Sequence, residues 1–125
     1  MMFIIHGVWA VGMHHWGPRE LVVGAGYRIE RDERNVKDPN AVKVMEGPNV
    51  KAYLKRNNAL VVSRLLHLGL SSKWLLKPKE TALVRDRRTG PQQLCNIGCK
   101  LQSNENLESA KTLLLESGLT FELKQ

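Results

Sequence analysis

Short alternating runs, each closed by glycine, proline or asparagine, constrain this chain more than any other feature. The clearest is Ala41-Val42-Lys43-Val44, which follows the compact turn Asp38-Pro39-Asn40. Asp can bond backbone two residues on, Pro pre-sets φ, and Asn tolerates the left-handed region. In the alternating run Val42 and Val44 share one face while Lys43 takes the other. A strand held by so tight a turn positions the preceding polar loop, Arg31 to Asp38, as a rigid surface feature. Gly47-Pro48-Asn49 then connects to a short strand at 50–54, and Tyr53-Leu54-Lys55-Arg56 leads into a helix.

The same grammar extends along the chain. Phe3 to Val11 reads as a first strand and Gly12 to Pro18 as a loop carrying His14, His15 and Trp16. Glu20 to Glu30 reads as a long second strand bent at Gly24 and Gly26. Ala41 to Glu46 is the third. Asn57 and Asn58 are N-cap candidates for a helix over Ala59 to Leu68, closed by Gly69. Ser71 to Lys79 is expected to be a connector anchored by Trp74, Leu75 and Leu76. Thr81 to Arg87 and Gln93 to Leu101 form a strand pair around an Arg88-Thr89-Gly90-Pro91 turn. Asn104 or Asn106 caps a second helix through Ser117, with the stripe Leu107, Ala110, Leu114, and Leu119 to Leu123 is a last strand. This order predicts a mainly β, α+β fold: a small OB-like, partly open antiparallel barrel with two helices.

At 125 residues the chain is the size of one domain, residues 1–125, and its 42% apolar and 25% charged composition is that of an ordinary globular protein. Met-Met-Phe-Ile-Ile is too short for a secretory leader and reads as strand. An intracellular location is the default, nuclear in a eukaryote, with no membrane and no small-molecule substrate as partners. Nineteen basic against twelve acidic residues give +7, a balance that attracts polyanions, chiefly nucleic acid or anionic membrane, or that simply makes a soluble basic surface. Cys95 and Cys99 share a strand face and lack a second Cys pair, so buried structural thiols fit them better than zinc. Neither a phosphate-cradling loop nor a nucleophile elbow is present, and the acidic residues lie on charged turns. A non-enzymatic protein without cofactors is expected.

The order Arg-Asp, Asn35, Asp38, Asn40-Ala41-Val42-Lys43-Val44, then Tyr53-Leu54 before a helix, resembles the HIRAN domain, a module of helicase-like DNA-repair and fork-remodelling proteins. The specific part of the resemblance is confined to residues 31–56; element order extends it from about Ile4 to about Leu123. It implies a barrel that binds single-stranded DNA at a 3′-hydroxyl end, with a larger helicase-like protein as a further partner. By that resemblance Asn35, Lys37 and Asp38 occupy the loop that grips the terminal nucleotide. Asp38 matches the acceptor for the free hydroxyl, a group that welcomes a hydroxyl and repels a phosphate. Lys37 stands where an aromatic is common. Tyr53, Lys55 and Arg56 match the basic helix entrance, where the first-turn amides add an anion site. His14, His15 and Trp16 replace a loop with Arg and aromatic contacts, keeping rings that stack on bases but no permanent cation.

The residues leave alternatives open. Trp16 is either a stacking platform or a plug in the barrel end, and Asp38 either a ligand or a turn cap. Lys37 and the altered His14-His15 loop also fit a protein-interaction module whose DNA pocket is lost, with Trp16 or Trp74-Leu75-Leu76 making the contact. A metal-dependent nuclease using His14 or His15 with Asp38 is a third, remote class.

Overall fold

The structure, a computed structural model, describes residues 1–17, 20–84 and 90–125. Its elements are β1 (Met2–Val11), a 3-10 turn (Met13–His15), β2 (Tyr27–Arg31), β3 (Val42–Glu46), β4 (Asn49–Leu54), α1 (Arg56–His67), β5 (Trp74–Pro78), β6 (Leu83–Val84), β7 (Pro91–Lys100), α2 (Leu107–Ser117) and β8 (Thr120–Lys124). The strands pair in the order β7-β5-β2-β3-β4-β1, all antiparallel, and the β1–β7 pairing closes the ring. Two further strands lie at the margin, β6 on β7 and β8 on β1. The OB-like antiparallel barrel with two helices is therefore the observed architecture.

β1 shows how the sequence builds this closure. Phe3 and Ile5 are buried, then the phase slips and Val8 and Ala10 are buried instead. The slip is a bulge between Ile5 and Val8, with Gly7 at φ 82 taking a conformation that side chains rarely adopt. It separates the segment paired with β8, Met2 to His6, from the segment paired with β4, Ala10 and Val11. The interior adds Val42, Val44, Ala52, Leu76, Cys95 and Ile97, and α1 covers it with Ala59, Val62 and Leu65. Val42 and Val44 share the inner face, as their spacing requires, while Lys43 faces outward toward Glu30 at 3.8 Å. In α2 the expected stripe buries Ala110 and Leu114, with Asn106 and Gly118 at the two caps. None of the described helices is long and apolar enough to cross a membrane.

Three expectations need correction. Glu20 to Gly26 is not strand; β2 begins only at Tyr27. The fully buried Gln93 side chain takes over the role of a ladder there: it accepts from Leu21 N at 2.7 Å and donates to the carbonyls of Leu21 and Glu80 at 2.9 and 2.8 Å. The supposed connector is the barrel strand β5, whose Trp74 and Leu76 point inward while Leu75 and Lys77 point out. A linear Trp74-Leu75-Leu76 contact surface is excluded by that alternation. Finally, α1 starts at Arg56, with Lys55 as N-cap. Asn58 lies within its first turn, and its Oδ1 instead accepts Trp9 N at 2.8 Å. Within the described part of the expected strand 81–87, residues 81–84, Leu83–Val84 pairs; Arg85, Asp86, Arg87, Arg88 and Thr89 lie outside the described residues.

Candidate nucleic-acid interface

Three segments meet where β1 ends, β2 leaves for β3, and β4 enters α1. The first is the turn after β1. Gly12, at φ 77, starts a single 3-10 turn, so His14 and His15 are not extended with opposed rings. Their rings lie against each other instead, centroids 4.0 Å apart, and His15 meets Trp16 edge-on at 5.9 Å. Trp16 is 40% exposed, which excludes the plug; Met13 fills the interior position. The indole rests on Tyr53, ring centroids 5.4 Å apart and tilted by 34°.

Tyr53 joins this aromatic run to the second segment. Its hydroxyl donates to Asp32 Oδ2 at 2.8 Å, and Asn35 Nδ2 reaches the same oxygen at 3.5 Å. Burial pushes the Tyr53 phenol above its ordinary value, and the Asp32 hydrogen bond and charge raise it further. Asn35 Oδ1 accepts the backbone amides of Lys37 and Asp38, both at 3.0 Å, a side chain imitating a turn. Asp38 Oδ1 in turn accepts Asn40 N at 3.0 Å. Its other oxygen, Oδ2, stands 4.0 Å from Arg56 Nε, a loose contact with an exposed guanidinium that contributes little to stability. At the loop tip Val36 is 98% exposed beside the exposed Lys37.

The third segment is the start of α1. Lys55 N is tied to Trp9 O at 2.7 Å, which seats the helix on the end of β1. The N-cap side chain makes no bond and the first turn has no acidic residue; Asn58 N donates to Lys55 O at 2.9 Å and to Asn57 Oδ1 at 3.0 Å, which leaves the Arg56 and Asn57 amides and the partial positive charge at the helix start. Lys55, Arg56, Asn57 and Leu60 line an open groove of about 550 Å³ together with Asp38 and Asn40. Lys51 lines a smaller cavity with Trp16 and Met13.

Of the nine expected residues, Asp38, Lys55 and Arg56 share the groove and Trp16 lines the smaller cavity, while His14, His15, Tyr53, Asn35 and Lys37 are joined to them by the ring contacts and hydrogen bonds above. The sequence reading missed Asp32, which holds Tyr53, and Asn40 and Asn57 in the groove. Asp32 was visible in the Arg-Asp pair of the motif, but nothing in its spacing announced a bond to a residue on another strand. Elsewhere, His6 sits on β1 between Asn96 and Glu122 at 3.1 and 3.0 Å. His67 lies in the last turn of α1, 3.4 Å from Arg31. Both cysteines are free and buried. Among the described residues no three histidine, cysteine, aspartate or glutamate side chains gather to hold a metal ion.

The fold is that of the HIRAN domain. The chain aligns with the HIRAN domain of human HLTF at a TM-score of 0.67, with 17% identity, over 97% of each chain. It also aligns with a protein from Lactobacillus plantarum at a TM-score of 0.57 and 16% identity, over 80% of this chain and 98% of that one. No protein-family model and no curated protein matches the sequence.

Proposed function

We propose that this protein is a DNA-binding module that holds single-stranded DNA and prefers a 3′-hydroxyl end. One observation carries the reading: an unbroken run of contacts from Trp16 through Tyr53, Asp32, Asn35 and Asp38 to Arg56 at the head of α1. It links the exposed Trp16 ring to the groove that Asp38 shares with the basic start of α1, which supports the reading. Trp16, His15 and Tyr53 receive bases, and Lys37, Lys55, Arg56 and the first-turn amides receive phosphates. Asp38 Oδ2 accepts the terminal hydroxyl. A 3′-phosphate brings two negative charges against the same carboxylate and is rejected.

Stacking contributes roughly 1 to 3 kcal/mol per base, and each phosphate contact steepens the salt dependence. With so few contacts the module binds at about micromolar strength or weaker, and a larger helicase-like protein brings it to DNA inside the cell. Fluorescence anisotropy with labelled oligothymidylates ending in 3′-hydroxyl or 3′-phosphate tests the reading, with heparin and duplex as competitors. The hydroxyl end binds more tightly. Asp38→Asn keeps an oxygen for the Asn40 amide, so the turn survives while the preference between ends shrinks. Equal affinity of the two ends for the native protein refutes end recognition; binding no better than to duplex refutes the single-strand reading altogether.

A further inference from the structure

At the opposite end of β1 the outer face of β5, β7 and β1 carries a second feature. Leu75, Gly98 and Ile4 are cross-strand neighbours in one row, on the face opposite the buried Leu76, Ile97 and Phe3. The middle residue of the row has no side chain. A Cβ there would stand 3.3 Å from Phe3 O and 3.6 Å from Ile4 Cγ1, so glycine lets the strands lie close and leaves a notch between Leu75 and Ile4. The notch measures about 490 Å³, with Met2, Ile4 and Leu75 as an aliphatic floor and Lys73, Lys77 and Lys100 around it.

Charge decides what fits. No acidic residue lines the notch among the described residues. The three ammonium groups form no ion pair among the described residues either. Glu122 lies across from Ile4 on β8, but its carboxylate is engaged by His6 at 3.0 Å and Lys124 at 3.5 Å. An aliphatic hollow ringed by unpaired cations suits a large apolar side chain flanked by carboxylates. It suits single-stranded nucleic acid poorly, since no aromatic ring lines it to stack a base.

We propose that this notch docks an acidic peptide segment of a partner protein, whose bulky apolar side chain enters above Gly98 while its carboxylates meet Lys73, Lys77 and Lys100. Ile4 and the turn after β1 are separated by roughly 25 Å of strand at about 3.3 Å per residue, so peptide and DNA bind without excluding one another. The site is independent of the nucleic-acid groove and stands or falls on its own residues.

The test is an amide NMR titration with a synthetic peptide carrying a Leu-Phe pair flanked on each side by two acidic residues. Two probes run beside it: the same peptide with Ser-Ser in the middle, and oligothymidylate. Saturable shifts confined to Ile4, Leu75, Gly98 and Lys100 are expected from the Leu-Phe peptide, weakening as salt rises. Lys77→Glu, an exposed position that leaves the barrel intact, lowers its affinity roughly tenfold, and Leu75→Ser does the same. Four results overturn the proposal: no shifts in this set, equal binding by the Ser-Ser peptide, affinity unmoved by Lys77→Glu, or oligothymidylate shifting these residues in place of the peptide.

Discussion

Tyr53→Phe isolates the joint on which the candidate interface depends. The substitution keeps the ring that supports Trp16 and deletes only the hydroxyl that donates to Asp32 at 2.8 Å. A hydrogen bond to a charged acceptor contributes about 1.5 to 3 kcal/mol net. Tyr53 is only partly buried, and Asp32 keeps the Asn35 amide at 3.5 Å, so the loss falls at or just below the bottom of that range, about 1 to 1.5 kcal/mol. For a chain of this length that is a fall in Tm of roughly 3 to 6 °C. Urea denaturation of the wild type, Tyr53→Phe, Asp32→Asn and the double variant measures the pairwise coupling, expected near 1 kcal/mol. Trp16 fluorescence should be unchanged in the Phe variant, because the ring contact remains. Affinity for a 3′-hydroxyl oligonucleotide should fall about threefold to tenfold as the loop from Asp32 to Asn40 loses its tie to β4. The same pair gives a pH signature. The phenol is raised, so the fold favours its neutral form; that stability is complete below pH about 10 and lost as pH climbs through the folded value. Coupling within about 0.3 kcal/mol of zero, with unaltered affinity, would refute the idea that this bond organises the site.

Other substitutions probe the fold beneath it. Gln93→Met, close in volume, strands the buried backbone N–H and carbonyl of Leu21, and should cost about 2 to 4 kcal/mol in a urea titration. Burial pushes the Cys95 and Cys99 thiols up to about 12 and about 11. A thiol reagent at pH 8 should therefore label neither cysteine in the native protein and both in urea, and labelling at the rate of free cysteine would contradict their burial. Their raised values also mean stability that is complete below pH 9 and lost as pH rises through 11 and 12, visible as a falling Tm in alkaline buffer. Gly90→Ala should strain a φ of 69° and put a Cβ 2.5 Å from His14 Cε1, displacing the imidazole from His15; the His14 ring resonances should move and those of His6 should not.

Much of this architecture was written locally. The alternate burial of Val42 and Val44 in β3, the Asp38-Pro39-Asn40 turn and the Gly118 stop after α2 each depend on neighbours within a few residues, and each was legible. The motif from 31 to 56 likewise named the loop and helix entrance that come to share a groove. What the sequence could not decide were matters settled by partners distant along the chain. Glu20 to Gly26 alternates like a strand, yet Leu21 bonds the Gln93 side chain more than seventy residues away and Gly24 N donates to Pro78 O, so no ladder forms. Ser71 to Lys79 resembles a connector, but β2 and β7 both pair with its Trp74–Pro78 stretch and make it a wall of the barrel. Asp32 and Tyr53 lie 21 residues apart and find each other only because β2, β3 and β4 pair in register. Side-chain periodicity is a property of each segment, whereas hydrogen-bond partners and ring contacts depend on which strands become neighbours. Closure of the barrel made those choices, and with them it assembled the groove.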